Sequence, residues 1–268
     1  MIEKHTAAKK STLVSVFVNL CLGTFQIVTG FFSGSQGLIA DGIHSFSDLV
    51  SDIVVLIANK HSSKDPDEDH HYGHYRYETA ATAFIGLSLI GVGILMIWHA
   101  GYKIAYSDEI VEIKIIALWV ALGALVIKEL LFRYMLHVGE QVKSAMLIAN
   151  SWHARSDAAS SFVVAIGIVG ALFGYGVFDI IAALVVGLMI VKMGWDFSWD
   201  ALHDLMDRSV SLEEDKKITN IILETKGVKG IHDLKTRKMG DMILVDVHIE
   251  VDANMSVKEV HDIAVASR

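Results

Sequence analysis

Long apolar runs broken by short polar connections dominate the first three-quarters of the chain. A helix needs about 20 mostly apolar residues to cross a bilayer core. Six runs have that length: Ser11–Phe32, Gln36–Ala58, Thr79–Tyr102, Glu112–Leu136, Lys143–Phe173 and Val177–Phe197. The fifth is too long for one span, so its first turns, near Ala145–Trp152, are expected to tilt or reach water. The first run lacks a small-residue cleavage site and reads as a retained span rather than a signal peptide. The pattern changes at Asp207: 22 of the last 62 residues are charged, against 32 of the first 206. Ser211 with Glu214 predicts a capping box opening an amphipathic helix, with Gly227 as its C-cap. Two strands follow, Lys229–Arg237 and Met242–Asp252. The second alternates Val245, Val247, Ile249 and Val251 with Asp246, His248, Glu250 and Asp252. Ser256 and Glu259 then open a second helix.

The predicted fold class is thus an α-helical membrane protein with six transmembrane helices in residues 1–206. A small cytoplasmic α/β domain of order α-β-β-α follows in residues 207–268. A two-stranded sheet is marginal alone, so the tail is expected either to lack a final strand or to pair with a partner. Basic residues set the orientation. Lys4, Lys9 and Lys10 precede the first span, Lys60, Lys64 and Arg76 lie between the second and third, and Arg133 and Lys143 between the fourth and fifth. The connections Ser33–Ser35 and Gly174–Gly176 carry none, while Lys103 and Lys114 oppose the trend weakly. Both termini are predicted to be cytoplasmic.

Composition narrows the function classes. Hydrophobic residues make up 53% of the chain and charged ones 20%, which disfavours a single soluble globule. The net charge of −8 argues against nucleic acid as a partner. A single cysteine excludes an intramolecular disulfide and a Cys-built zinc module. The 13 histidines are many for this length.

Ionisable groups inside spans are costly and mark function by default. The second run holds Asp41, His44, Asp48 and Asp52 within a stripe roughly 80° wide at helical periodicity. The fifth holds His153 and Asp157, with Asn150 on the same face. Each helix therefore offers an H-x-x-x-D pair, whose members stand one turn apart on one face. Two such pairs supply two imidazoles and two carboxylates, a four-donor set suited to tetrahedral Zn²⁺. The carboxylates also neutralise a dication in a buried site. One pair alone would read equally well as an interhelical polar contact; two pairs in two spans favour the ion. A second cluster lies between the second and third spans, where a turn at Gly73 can fold His74 back towards Asp67 and His70. Read alone, it can equally be a solvated polar loop. His232, His248 and His261 in the tail form a third candidate set, each of which alone would read as a surface histidine.

With these residues the whole chain resembles a cation diffusion facilitator, of the bacterial zinc/ferrous-iron efflux type. The resemblance rests on Gly37-Leu-Ile-Ala-Asp41-Gly-Ile-His44-Ser-Phe-Ser-Asp48, His71-Tyr-Gly-His74, the His153/Asp157 pair and Val228-Lys-Gly-Ile-His232-Asp233-Leu. It implies a transport site of His44, Asp48, His153 and Asp157, a loop site of Asp67, His70 and His74, and a cytoplasmic-domain site of His232, His248 and His261. The remaining tail ligands would lie beyond Arg268. Arg76 and Asp207 match the family's inter-domain ion pair. Bacterial zinc/iron members often carry Asp where this chain has His44, so the two-His, two-Asp form points to zinc. The resemblance further implies a homodimer with a metallochaperone-like cytoplasmic domain in the bacterial inner membrane. Zn²⁺ would be exported by alternating access in exchange for protons and would also serve as a regulatory ligand, with no organic cofactor. The competing classes are an intramembrane metalloenzyme, which would need an open metal position and a base, and a metal-sensing scaffold that transports nothing. A closed four-donor set and the lack of H-E-x-x-H speak against the enzyme.

Overall fold

Six long helices carry the apolar part of the chain: α1 (Ile2–Ser33), α2 (Gln36–Ser62), α3 (Arg76–Tyr106), α4 (Ile116–Gln141), α5 (Ala145–Leu172) and α6 (Val177–Leu205). The tail adds α7 (Leu212–Glu224), β1 (Gly230–Met239), β2 (Met242–Glu250) and α8 (Val257–Ala266). The structure, a computed structural model, describes residues 2–62, 64–106, 112–141, 145–240 and 242–267. Side chains are described except at 2–12, 55, 56, 59, 145–147, 149, 150 and 153. Lys143, and the side chains of Lys4, Lys9, Lys10, Asn150 and His153, therefore lie outside the described residues. The fold class is a helical transmembrane domain with a small domain of two antiparallel strands and helices.

Four described segments are long and apolar enough to cross a membrane: Leu13–Ser33, Arg76–Tyr106, Ala154–Leu172 and Val177–Leu205. The other two long helices are the ones loaded with ionisable residues, Asp41, His44, Asp48 and Asp52 on α2 and Lys128, Glu129 and Arg133 on α4. Phe25, Phe31, Leu95, Trp98, Trp119 and Phe173 stand well exposed, as side chains facing hydrocarbon should. Helix α4 starts at Ile116, four residues later than the apolar run. Residues before it are drawn to the end of α1: Lys114 donates its backbone N–H to Ser33 O (3.2 Å) and its Nζ to Phe32 O (3.1 Å). These bonds satisfy carbonyls that the last turn of α1 leaves free, which gives Lys114 a local reason to sit against the charge trend.

Packing divides the chain into two compact units, Met1–Val54 with Ile85–Asp196, and Val55–Phe84 with Phe197–Arg268. In the first, small residues let helices approach: Ala117, Ala121 and Ala124 on α4 and Ala154, Ala158 and Ala165 on α5 are buried. At Gly42 on α2 an added Cβ would lie 2.6 Å from Ile27 Cγ1 and 3.0 Å from Gly23 O. Glycine there lets α1 and α2 touch beside the polar stripe. The N-terminus of α2 is capped from α6. The buried Asp179 carboxylate accepts from Ser35 Oγ (2.6 Å), Gln36 N (2.5 Å) and Gly37 N (3.3 Å), so donors that a helix start leaves orphaned are satisfied by another span.

In the second unit both capping boxes form as the sequence predicts, at Ser211/Glu214 and Ser256/Glu259. The C-cap of α7 is Thr225, however, not Gly227. Gly227 takes φ +103°, and a Cβ there would meet Ile263 Cδ1 at 2.5 Å, so this glycine serves the turn and the approach of α8. Strand β2 stops at Glu250, two residues short of the expected end. Asp252 leaves the ladder because its carboxylate accepts from Lys229 Nζ (2.6 Å) and Asn254 N (2.9 Å). The Lys229 ammonium, followed by the Asn254 backbone N–H, pulls the Asp252 pKa down to about 2. Strands β1 and β2 pair antiparallel, His232 opposite His248, with a bulge between His232 and Lys235.

Candidate metal centres

The first candidate centre is built by α2 and α5 in the first unit. Residues i and i+4 of a helix share a face, which sets His44 over Asp48 with His44 Nδ1 3.7 Å from Asp48 Oδ2. Helix α5 brings Asp157 Oδ1 to 3.6 Å from His44 Nε2. One donor atom from each of the three lies within 4.8 Å of the others. Tetrahedral Zn²⁺ with ligands at about 2.0–2.1 Å places its donors roughly 3.4 Å apart, close to these separations. His44 Nδ1 is buried and has no hydrogen-bond partner among the described residues. His153 stands one turn before Asp157 on α5; its side chain is not among those described.

Asp41, on the same stripe of α2, has a different task. Its buried carboxylate pairs with Lys128 Nζ of α4 at 3.1 Å. It also accepts from Ser160 Oγ (2.6 Å) and Ser161 Oγ (2.5 Å) of α5, and from Gln26 Nε2 of α1. Lys128 Nζ further donates to the backbone oxygen of Asp157 (3.3 Å). Four helices are thus joined at one buried ion pair next to the donor cluster. Lys128 escaped the sequence reading, although a lysine in mid-span was the signal that applied. Ser160, Ser161 and Gln26 carried no such signal, because uncharged polar residues are common within spans.

The loop cluster forms in the second unit. Gly73, at φ +79°, makes the turn that returns His74 to Asp67. Asp67 Oδ1 accepts from His70 N (2.7 Å) and Asp69 N (3.1 Å) and lies 3.2 Å from His70 Nδ1. Asp67 Oδ2 lies 3.3 Å from His74 Nε2, and the two histidine rings are 4.4 Å apart. Desolvation pushes the Asp67 carboxyl up, but the His70 backbone and ring hydrogen bonds outweigh it and hold it below the ordinary range. The three residues again place donor atoms within 4.8 Å of one another.

In the tail the structure changes the expected set. His232 and His248 face each other across the two strands with rings 5.1 Å apart. The third member of the group is Asp233, whose Oδ2 is 3.6 Å from His248 Nδ1. His261 lies exposed on α8 and is not part of that group. On a regular strand, neighbours point to opposite faces. The bulge and the positive φ of Asp233 (54°) bring it beside His232, and neither feature is visible in the local sequence.

The ion pair predicted between Arg76 and Asp207 is present within the second unit, with Arg76 Nη2 2.6 Å from Asp207 Oδ1. Arg237 shares it, with Nη1 3.5 Å from Asp207 Oδ2. Asp207 takes φ +59° just after α6. An exposed pair of this kind contributes about 0–1 kcal/mol, so Arg76→Ala is expected to shift the melting temperature little and the transport rate more. The reversal Arg76→Asp with Asp207→Arg should recover only part of the lost rate, because the new arginine would face Arg237. A double variant no faster than either single would remove the pair from the mechanism.

Two family models match the chain: the cation efflux transmembrane domain over residues 12–206 and the cation efflux protein cytoplasmic domain over residues 210–267. An uncharacterised transporter of Methanocaldococcus jannaschii is 40% identical over 258 residues, covering 96% of this chain and 91% of that protein. The manganese efflux system protein MneS of Bacillus subtilis is 34% identical, over 98% of this chain and 91% of its own. Magnetosome protein MamB of a Magnetospira strain is 34% identical, over 94% and 86%. Together with the six helices and the small two-stranded domain, these matches show that the chain belongs to the cation diffusion facilitator family, whose members are metal-cation transporters and not enzymes.

Proposed function

We propose that the protein exports Zn²⁺ from the cytoplasm in exchange for protons, by alternating access around His44, Asp48, His153 and Asp157. The observation that carries this reading is the convergence of His44, Asp48 and Asp157 from two helices on one small volume. The ion binds when both imidazoles are neutral and both carboxylates ionised. Protons arriving from the other side then displace it, and histidine suits that exchange because its unperturbed pKa of about 6.5 lies near working pH. Asp67, His70 and His74 gather the cation on the cytoplasmic side. His232, Asp233 and His248 form a regulatory site that tightens a homodimer when metal binds. The protein is integral to the inner membrane, with both termini inside.

A second reading, Mn²⁺ as the physiological cargo, is favoured by the relative named for manganese efflux. Purified protein in liposomes with an imposed pH gradient separates the possibilities. Zn²⁺ uptake faster than Mn²⁺ and driven by the gradient supports the first reading; the reverse order supports the second; no uptake of either leaves a metal-sensing scaffold. Donor chemistry makes a further prediction. Imidazole favours Zn²⁺, whereas oxygen-rich sites accept harder ions, so His44→Asp should relax selection towards Cd²⁺ or Fe²⁺. Relative rates for Zn²⁺, Cd²⁺ and Fe²⁺ that do not change would count against His44 as a ligand.

A further inference from the structure

A cavity of about 680 Å³ opens in the second unit beside the loop cluster, lined among others by His70, His74, Tyr72, Arg76 and Arg237. Its volume falls within the roughly 300–1,000 Å³ of small-molecule sites. The guanidinium groups of Arg76 and Arg237 are partly exposed, their side chains 44% and 31% accessible. A guanidinium can only donate, so the complement of these two groups is an acceptor. Arg76 and Arg237 share the one carboxylate of Asp207, and Asp69 also lines the cavity, so a cation at the loop cluster would tip its balance to positive. The Arg237 guanidinium also lies over the Tyr72 ring, Cζ 5.8 Å from its centroid, which fixes its plane.

We infer that this cavity binds a phosphate-bearing anion, held by Arg237 and Arg76, whose oxygen also completes the coordination of a cation at Asp67, His70 and His74. The inference rests on the reading that the loop cluster holds a cation. Three protein donors leave one position of a four-coordinate ion open, and that ion supplies the positive charge that draws the anion in beside the two arginines. A tetrahedral phosphate has enough oxygens to bridge a metal and a guanidinium at once, and the arginine fork matches its geometry. The group can arrive on a soluble metal–phosphate complex or on a phospholipid headgroup.

Equilibrium dialysis of the purified full chain against labelled inorganic phosphate tests this, with and without low-micromolar Zn²⁺. Wild type is expected to bind phosphate, at least about tenfold more tightly with Zn²⁺ present, and Arg237→Gln to lose about tenfold in affinity. Arg237→Lys keeps the charge but loses the planar two-pronged fork, so an intermediate loss is expected even if the glutamine variant folds poorly. Phosphate binding that is absent, or equal in all three proteins, overturns the anion site, whether or not liposomes still transport Zn²⁺. Zn²⁺ enhancement that survives His74→Ala overturns instead the loop cluster as the cation's holder. Repeating the titration in nanodiscs identifies the source. Displacement of phosphate by phosphatidylglycerol but not by phosphatidylcholine supports the site with a lipid headgroup in it. Equal binding in both supports it with a soluble anion.

Discussion

Liposomes carrying the Asp157→Ala protein are expected to take up no Zn²⁺ or Mn²⁺ above the protein-free background, although the protein still inserts and runs at its normal size. The carboxylate lies 3.6 Å from His44 Nε2 and within the same small volume as Asp48. Its removal deletes a ligand and leaves a dication in a buried site with one negative charge fewer. Truncating one partner of a buried charge pair costs about 2–5 kcal/mol of binding, which is a loss of roughly thirtyfold or more in occupancy. Folding should be spared for a specific reason. The contacts that Lys128 Nζ and Ser160 Oγ make with residue 157 go to its backbone oxygen, which alanine retains. Asp157→Asn, which keeps the shape and removes the charge, should fail in the same way. Metal uptake by either variant at more than a few per cent of the wild-type rate would end the assignment.

The long helices, the domain order, the His44–Asp48 pairing and the loop turn were legible because each rests on local sequence pattern. His44 with Asp48 is one helical turn, and Gly73 is a turn residue placed between the groups it joins. What was not legible depended on departures from periodicity or on distant partners. Asp233 joins His232 and His248 only because a bulge breaks the strand alternation. Asp41 stands on the α2 stripe without a role until Lys128, 87 residues away, is seen to pair with it. Gly227 looks like a helix cap because caps and close approaches select the same residue, and only the position of Ile263 tells them apart. The early end of β2 follows from the bonds Asp252 makes with Lys229 and Asn254, which the alternating pattern could not foretell.

The buried Lys128–Asp41 pair should show the strongest non-additivity in the protein. Lys128 and Asp41 are both almost wholly buried, so removing one leaves the other charge without its counter-ion among α1, α2, α4 and α5. Uncharged hydrogen bonds between membrane helices average only about 0.6 kcal/mol, whereas a lone charge at mid-bilayer costs at least about 2.5–3.5 kcal/mol. The charge effect therefore decides the outcome. Lys128→Met and Asp41→Asn should each destabilise the protein by about 3 kcal/mol or more, against a total stability of only about 5–15 kcal/mol. The double variant removes both charges. The amide that replaces the Asp41 carboxylate can still accept from one of Ser160 and Ser161 through its oxygen, so most of that loss should be recovered. Thermal unfolding of the four proteins in one detergent gives the coupling directly. A double variant less stable than either single, by the sum of their losses, would show that Lys128 and Asp41 act independently and that the pair does not hold the four helices together.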